Sequence, residues 1–442
     1  MRKNINKLIA FAIGISVMSG TAIPVLAADS TTASNSTVTA TTANTSTTAA
    51  TSTNTSATTN AVTQGSNIVY AQNQVKQKPV LTLKDAINAA FNTSQTLTLK
   101  EKKIRLEEDK LDLQEKVNDD GYQYDSQELA VKQAKEDKEF FEDQIAQTVT
   151  DKYTDLVAKE NELDKLKKQI EIKTKQLKDN ELKKNLGLIT TIDLKNAQND
   201  LETQKNNIKF KEDQLNNNKY YFKVLTGKDL SEYLLEQDQA YEIFKIDGSV
   251  DSYFDKIIDK YLRYNVKSNE LLKDYVKDIK KDRPTGDAPK ASNYSDTLDV
   301  DGVTVIEKGS DKFKKALDDY NKDIAEYRTY LETRYNYNAA TVGLDEKKKS
   351  YRQILKDSYA KLIDLENKIN VMKSSVEISN KQLSNAKLKY DMGLITKTDY
   401  NNLVLDNDDL ENNFRTAVNS YNTLKNQIQK PWLLVGGASS AN

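Results

Sequence analysis

Val149, Leu156, Leu163, Ile170 and Leu177 fall seven residues apart, and beyond Gly187 the same interval carries Leu194, Leu201, Ile208, Leu215 and Phe222. A seven-residue repeat keeps its members on one stripe of a helix. The pattern predicts two long helices folded back on each other around Gly187. The first runs from about Gln127 to Leu186, on the order of 90 Å at about 1.5 Å per residue.

The pattern returns in the second half. Tyr351, Leu355, Ser358, Leu362, Leu365, Ile369, Met372, Val376, Ser379, Leu383, Ala386 and Tyr390 alternate steps of four and three, the spacing of a coiled-coil seam. Beyond Gly393 the seam continues through Tyr400, Leu403, Asn407, Leu410, Phe414, Ala417, Tyr421, Leu424 and Ile428. Asn407, polar at a seam position, is expected to fix register at some cost in stability. Upstream, Phe313, Leu317, Tyr320, Ile324, Tyr327 and Leu331 form a further seam whose phase slips near Gly343; a stutter in one helix and a true break both fit.

The two halves are copies. Leu186-Gly187-Leu188-Ile189-Thr190-Thr191-Ile192-Asp193 aligns with Met392-Gly393-Leu394-Ile395-Thr396-Lys397-Thr398-Asp399. Gly187 and Gly393 suit the left-handed conformation that ends a helix, Thr190 and Thr396 can cap the next one, and Asp193 and Asp399 complete the capping pairs. Leu188, Ile189, Leu394 and Ile395 fall at the turn, where they either staple it shut or contact a partner. Each copy opens on a short amphipathic helix, at Leu81 to Ile87 with Thr82 and Asp85 as a capping pair, and at Val250 to Ile257.

Breakers bound these units. Pro79, Pro284, Pro289 and Pro431 bracket proline-free stretches, while Gly121, Gly187, Gly227, Gly248, Gly302, Gly309, Gly343 and Gly393 read as punctuation. Asn118-Asp119-Asp120-Gly121 is a turn signal. Thr297 to Val300 and Val303 to Ile306 flank Asp301-Gly302, which predicts a hairpin with a two-residue turn, the sole strand pair expected. The fold class is therefore all-α, two tandem repeats of long antiparallel coiled-coil hairpins. Residues 79–228 form the first repeat, 229–248 a connector, 249–430 the second repeat with an insertion at 283–310, and 431–442 a tail.

Composition adds a compartment. Arg2, Lys3 and Lys7 precede an apolar run from Leu8 to Met18 that is short for a membrane span, which predicts a signal peptide over residues 1–27. From Ser30 to Val75 there is no charged residue, and Ser, Thr, Ala and Asn dominate, so residues 28–78 read as a disordered spacer, whether a passage through a cell wall or an inert linker. The chain is expected to be exported to the cell envelope or surface.

Charge and chemistry mostly exclude. The sequence holds no Cys and no His, which removes thiol nucleophiles, imidazole bases and conventional zinc or haem sites; no catalytic, cofactor or metal site is expected. Its 65 basic and 66 acidic residues nearly cancel, and runs such as Lys347 to Lys349 are short, so no nucleic-acid partner is expected. Tyr351, Tyr359, Tyr390, Tyr400 and Tyr421 lie on or beside a seam, where core packing accounts for them.

A repeated order of short capped helix, medium helix, insertion, very long helix, Gly-Leu-Ile-Thr-x-x-Asp turn and returning helix resembles the TolC family of outer membrane efflux proteins, over roughly Leu81 to Lys430. The resemblance implies a homotrimer whose helices close into a tunnel, acting in efflux with an adaptor protein and an inner-membrane transporter. It also implies that the turns Gly187, Leu188, Ile189, Thr190 and Gly393, Leu394, Ile395, Thr396 dock the adaptor. Where that family inserts membrane-barrel strands, this sequence offers only about Asn118 to Ser126 in one copy and short strands in the other. A spanning strand needs about 9–11 residues, which argues against direct membrane insertion. A secreted coiled-coil structural or wall-interaction protein without a lumen is the alternative.

Overall fold

The computed structural model describes residues 78–237, 241–300 and 302–436; the expected signal peptide and almost all of the spacer lie outside them. The elements of repeat 1 are β1 (Val80–Leu81), α1 (Leu83–Thr93), α2 (Gln95–Val117), α3 (Gly121–Asn185) and α4 (Thr191–Thr226). After β2 (Leu234–Leu235) come α5 (Val250–Tyr261), α6 (Arg263–Asp278), β3 (Thr297–Leu298) and β4 (Val305–Glu307). Then follow α7 (Gly309–Asp391), α8 (Lys397–Gln429) and the single turn α9 (Leu433–Gly436). The fold is all-α, with two tandem helical-hairpin repeats, α3–α4 and α7–α8, each joined by the turn at its glycine.

Each repeat buries its own seam. One core gathers Ala86 and Ala90 of α1 with Val149, Tyr153, Leu156 and Leu163 of α3 and Leu215 and Phe222 of α4. The other gathers Phe254 and Ile258 of α5 with Leu355, Leu362 and Ile369 of α7 and Tyr421 and Ile428 of α8. The predicted seam residues of α7 from Tyr351 to Tyr390 are all buried or half-buried; in α8 only Leu403 emerges. The spacing is therefore a packing pattern, as the seven-residue interval demands.

Several expectations needed correction. The long helix of repeat 1 begins at Gly121 rather than near Gln127. Helix α7 runs unbroken through Gly343 for 83 residues, so the phase slip is a stutter and this glycine is not punctuation. Leu298 pairs with Val305, so the turn between β3 and β4 is wider than two residues; a register shift beside Thr297 and a bond from the Gly302 amide to the Asp299 carbonyl (2.9 Å) take up the slack. A second strand pair exists: β1 lies parallel to β2, Val80 opposite Leu234 and Leu81 opposite Leu235, a contact between segments too short and too distant in sequence to show a pattern. The first residues after Lys430 pack on α3. Trp432 stacks on Phe140 of α3 at 4.3 Å, its indole N–H donates to Asp143 (3.0 Å), and Lys430 pairs with the same carboxylate (2.6 Å).

The repeats join through α3. Its Lys165 and Lys168 pair with Asp409 and Asp408 of α8, Gln147 donates to Thr423 (3.3 Å), Glu136 pairs with Arg263 of α6 (2.8 Å), and Tyr122 stacks on Tyr275 at 4.1 Å. No helix among the described residues is long and apolar enough to cross a membrane.

Candidate functional site

The two Gly-Leu-Ile-Thr turns are built alike, atom for atom. Gly187 (φ 72°) and Gly393 (φ 74°) take the left-handed conformation that a side chain would strain. The Gly187 amide donates to the Lys184 carbonyl (3.0 Å) and the Leu188 amide to Lys183 (2.8 Å); Gly393 and Leu394 donate to Tyr390 (2.9 Å) and Lys389 (2.8 Å). Both are Schellman closures, in which the last carbonyls of a helix are satisfied by the two amides that leave it.

The next helix starts in each case on a reciprocal cap. The Asp193 amide donates to Thr190 Oγ1 (3.1 Å) while the Thr190 amide donates to Asp193 Oδ2 (3.0 Å). Thr396 and Asp399 repeat this at 3.1 and 3.2 Å. The Thr190 hydroxyl, then its amide, hold the Asp193 carboxyl below its usual range. Thr82 caps α1 through the Asp85 amide at 3.1 Å.

Backbone geometry divides the apolar pair. Ile189 and Ile395 sit immediately before the cap, with Leu194 and Tyr400 four positions beyond it; all four are half-buried, the arrangement of a hydrophobic staple. Tyr400 also stacks on Tyr390 at 5.4 Å, bracing the second turn from the opposite helix. Leu188 and Leu394 point outward, each 69% exposed.

Around them the structure exposes residues that motif spacing alone did not single out: Leu182 and Leu186 in the first turn, Leu388 and Met392 in the second, with Ile192 added on the first. The shared set, at Leu182/Leu388, Leu186/Met392 and Leu188/Leu394, is an apolar surface held at the end of two rigid helices. The signal that could have found it is in the sequence, since an apolar residue four before another at a helix end shares its face. The polar groups of the turns, the Thr190 and Thr396 hydroxyls and the Asp193 and Asp399 carboxylates, are engaged in the caps. What the arrangement can do is bury apolar area against a partner.

No family model matches the chain, and no curated protein matches it in sequence. Solved structures do. A membrane protein from Pseudomonas aeruginosa is 10% identical with a TM-score of 0.52, the match covering 79% of this chain and 92% of that one. The outer-membrane channel OprN is 9% identical with a TM-score of 0.51, covering 79% and 90%. The outer membrane channel CmeC of Campylobacter jejuni is 15% identical with a TM-score of 0.47, covering 80% and 86%. At such identities the likeness is one of fold, and the first two give it: an all-α chain arranged along most of its length like these membrane and channel proteins.

Proposed function

We propose that this protein is a TolC-like duct component: copies associate head to tail, close into a helical tube for export, and meet an adaptor and an inner-membrane transporter through the apolar turns. The observation that carries the reading is a mismatch between the two repeats. Aligning Gly187 with Gly393 sets each residue of α3–α4 opposite one of α7–α8. Repeat 1 uses one side of α3 to hold repeat 2, whereas the matching side of α7 is bare among the described residues. Leu129, Glu136 and Ile172 of α3 are 7%, 8% and 6% exposed; their counterparts Tyr335, Val342 and Ile378 are 72%, 58% and 56% exposed.

The complementary side is bare as well. Thr423 and Asn426 of α8 and Lys430 just after it bond to α3, and their counterparts on α4 are Asn217, Tyr220 and Val224, the last two 64% exposed. On α2, Leu99, Leu106 and Leu113 form an exposed stripe at seven-residue spacing. A chain with one used and one unused half of the same interface is suited to a heterologous contact, which forms a ring when its rotation closes. A ring of long hairpins encloses a lumen, and no titratable chemistry is required of it. The fold shared with the outer-membrane channel OprN agrees with this reading, and the trimer implied by the resemblance is the expected closure.

The test uses the natural absence of cysteine. Lys165 meets Asp409 within one chain, so Val371→Cys and Thr203→Cys occupy the matching positions between copies. Oxidation of the double variant should give a ladder ending at the trimer, and sedimentation of the parent chain should give the same mass. A monomer by both measures removes the tube and leaves an exported helical scaffold.

A further inference from the structure

The apolar surface at each turn is bordered by charge, and the two copies agree on its sign. Lys175 stands seven residues before Leu182 on α3 and Lys183 one residue after it; Lys381 and Lys389 stand in the same places about Leu388 on α7. All four lysines are exposed, and among the described residues none of them forms an ion pair. Anions are not kept in the same way. Asp179 and Glu181 border the first surface, but their counterparts on α7 are Asn385 and Lys387. The carboxylates that both turns keep, Asp193 and Asp399, are taken by the caps, and Asp391 is paired with Lys387 (2.8 Å).

Folding accounts for half of this pattern. Lys183 and Lys389 lie in the last turn of their helices, where a cation complements the negative end. Lys175 and Lys381 lie about three turns from those ends, beyond the reach of that effect. They share a face with Leu182 and Leu388, because seven residues return to one stripe, and stand about 10 Å along the rod from them. Nothing within either hairpin uses their charge.

We propose that the partner meeting these turns carries an apolar recess edged by carboxylates: the recess takes Leu188 and Leu394, and the carboxylates meet Lys175 with Lys183 and Lys381 with Lys389. The inference rests on the docking reading above and adds the chemistry of the surface that docks. Charge complementarity names it. Exposed cations around exposed leucines attract carboxylates at the rim of a contact, where they set orientation and association rate, while the apolar centre supplies the area. The turns of a second copy cannot fill this role, since both turns carry the same sign.

Two cross-linkers on intact cells test this. A benzophenone on Thr191→Cys in the otherwise cysteine-free full chain reads proximity whatever the charge, and a water-soluble carbodiimide joins lysine only to a carboxylate in contact. The labelled chain should give a photo-adduct with a different polypeptide, and carbodiimide should give amides from the bordering lysines to its Asp or Glu, both located by mass spectrometry. Changing all four lysines to Glu should cut the photo-adduct several-fold; changing them to Arg should restore it and abolish the amides. Circular dichroism of the Glu variant should match the parent, since the four positions are exposed. A photo-adduct that survives the Glu changes but is lost in Leu188→Asp/Leu394→Asp overturns the acidic edge and leaves the docking reading standing. No photo-adduct, or one indifferent to both sets of changes, overturns docking and acidic edge together. Flotation with phosphatidylglycerol vesicles that is lost in the Glu variant, with no amide to a protein, overturns the proposal in favour of lipid, and amides to a second copy of this chain overturn it in favour of self-association.

Discussion

Tyr153→Phe removes a single oxygen atom from the middle of the first core. The hydroxyl donates to the Leu81 carbonyl (2.6 Å) and accepts from the Glu236 amide (2.6 Å), so one atom ties both β1 and the residue after β2 to α3. Leu81 is buried, and its carbonyl would be left without water at a cost of about 1–3 kcal/mol; Glu236 is exposed, so its amide loses only the net worth of a bond, roughly 0.5–1.5 kcal/mol. The variant should therefore lose about 1.5–4.5 kcal/mol. Tyr421 does the lesser task in the second core, accepting one bond from the Phe244 amide (2.7 Å), and Tyr421→Phe should lose about 0.5–1.5 kcal/mol. Urea unfolding followed by circular dichroism measures both. Burial pushes the Tyr153 phenol from 10.0 to about 12, so its contribution is complete below pH 10 and is lost as pH rises toward 12; the Phe variant should lack that alkaline slope. Equal losses in the two variants, or less than about 0.5 kcal/mol for Tyr153→Phe, would refute the assignment of two bonds to this hydroxyl.

Leu188→Asp with Leu394→Asp should leave melting within about 0.5 kcal/mol of the parent, because both side chains are exposed, whereas Ile189→Asp with Ile395→Asp should lose on the order of 1 kcal/mol per turn through the staples. Export from cells should fall with the leucine pair; normal export with that pair removes the turns as docking surfaces. Asn407 is 5% exposed with an unpartnered Oδ1, and its counterpart in repeat 1 is the apolar Leu201, so Asn407→Leu should raise the urea midpoint by about 1 kcal/mol equivalent; a lower midpoint would mean a water or partner serves that oxygen. Burial raises the Glu136 carboxyl above the ordinary carboxylate range despite Arg263, so its contribution is present in acid and lost as pH rises through the raised folded-state value. Glu136→Gln should therefore match the parent in the ordinary carboxylate range and equal or exceed it at neutral pH, and a less stable variant at neutral pH would show that the ion pair outweighs its desolvation.

The long helices and their turns were legible because a single physical rule, apolar residues at seven-residue intervals, operates over hundreds of residues, and because Gly, Thr and Asp have distinct backbone roles at Gly187–Asp193 and Gly393–Asp399. Tyr153 was not legible: its position fits a seam, and nothing in the sequence says that its hydroxyl will meet strands more than seventy residues away on both sides. The same holds for β1 with β2 and for Trp432 on Phe140, contacts of two or three residues made across long separations. Gly343 misled because a glycine in a pattern break reads as a stop, yet a helix supported on neighbouring turns tolerates it for roughly 1 kcal/mol. At the turns the motif marked Leu188 and Ile189 as equivalent; only the backbone separates the stapled residue from the bare one.

The chemistry on the two sides of α3 and α7 follows from what each side must accomplish. Within one chain the repeats are already tethered, so their junction forms as an intramolecular event and can be specified by polar groups: Lys165 with Asp409, Lys168 with Asp408, Gln147 with Thr423. Such pairs add little net stability at partly exposed sites but penalise a wrong register. Copies meeting from solution face the additional loss of translational and rotational freedom, which exposed ion pairs cannot offset. At three matching positions the chain carries an apolar residue where the junction between repeats has a charged one, Val371 for Lys165, Val342 for Glu136 and Val224 for Lys430, and Tyr335 and Ile378 answer the buried Leu129 and Ile172; all five are exposed in the single chain. Under the proposed assembly, these exchanges of apolar for charged residues distinguish the face that folds within the chain from the face that would meet a second copy. They imply that added salt should weaken the join between repeats while leaving or strengthening the join between copies, so sedimentation in rising salt should hold the assembly together, and dissociation under salt would assign the bare faces to something other than a second copy.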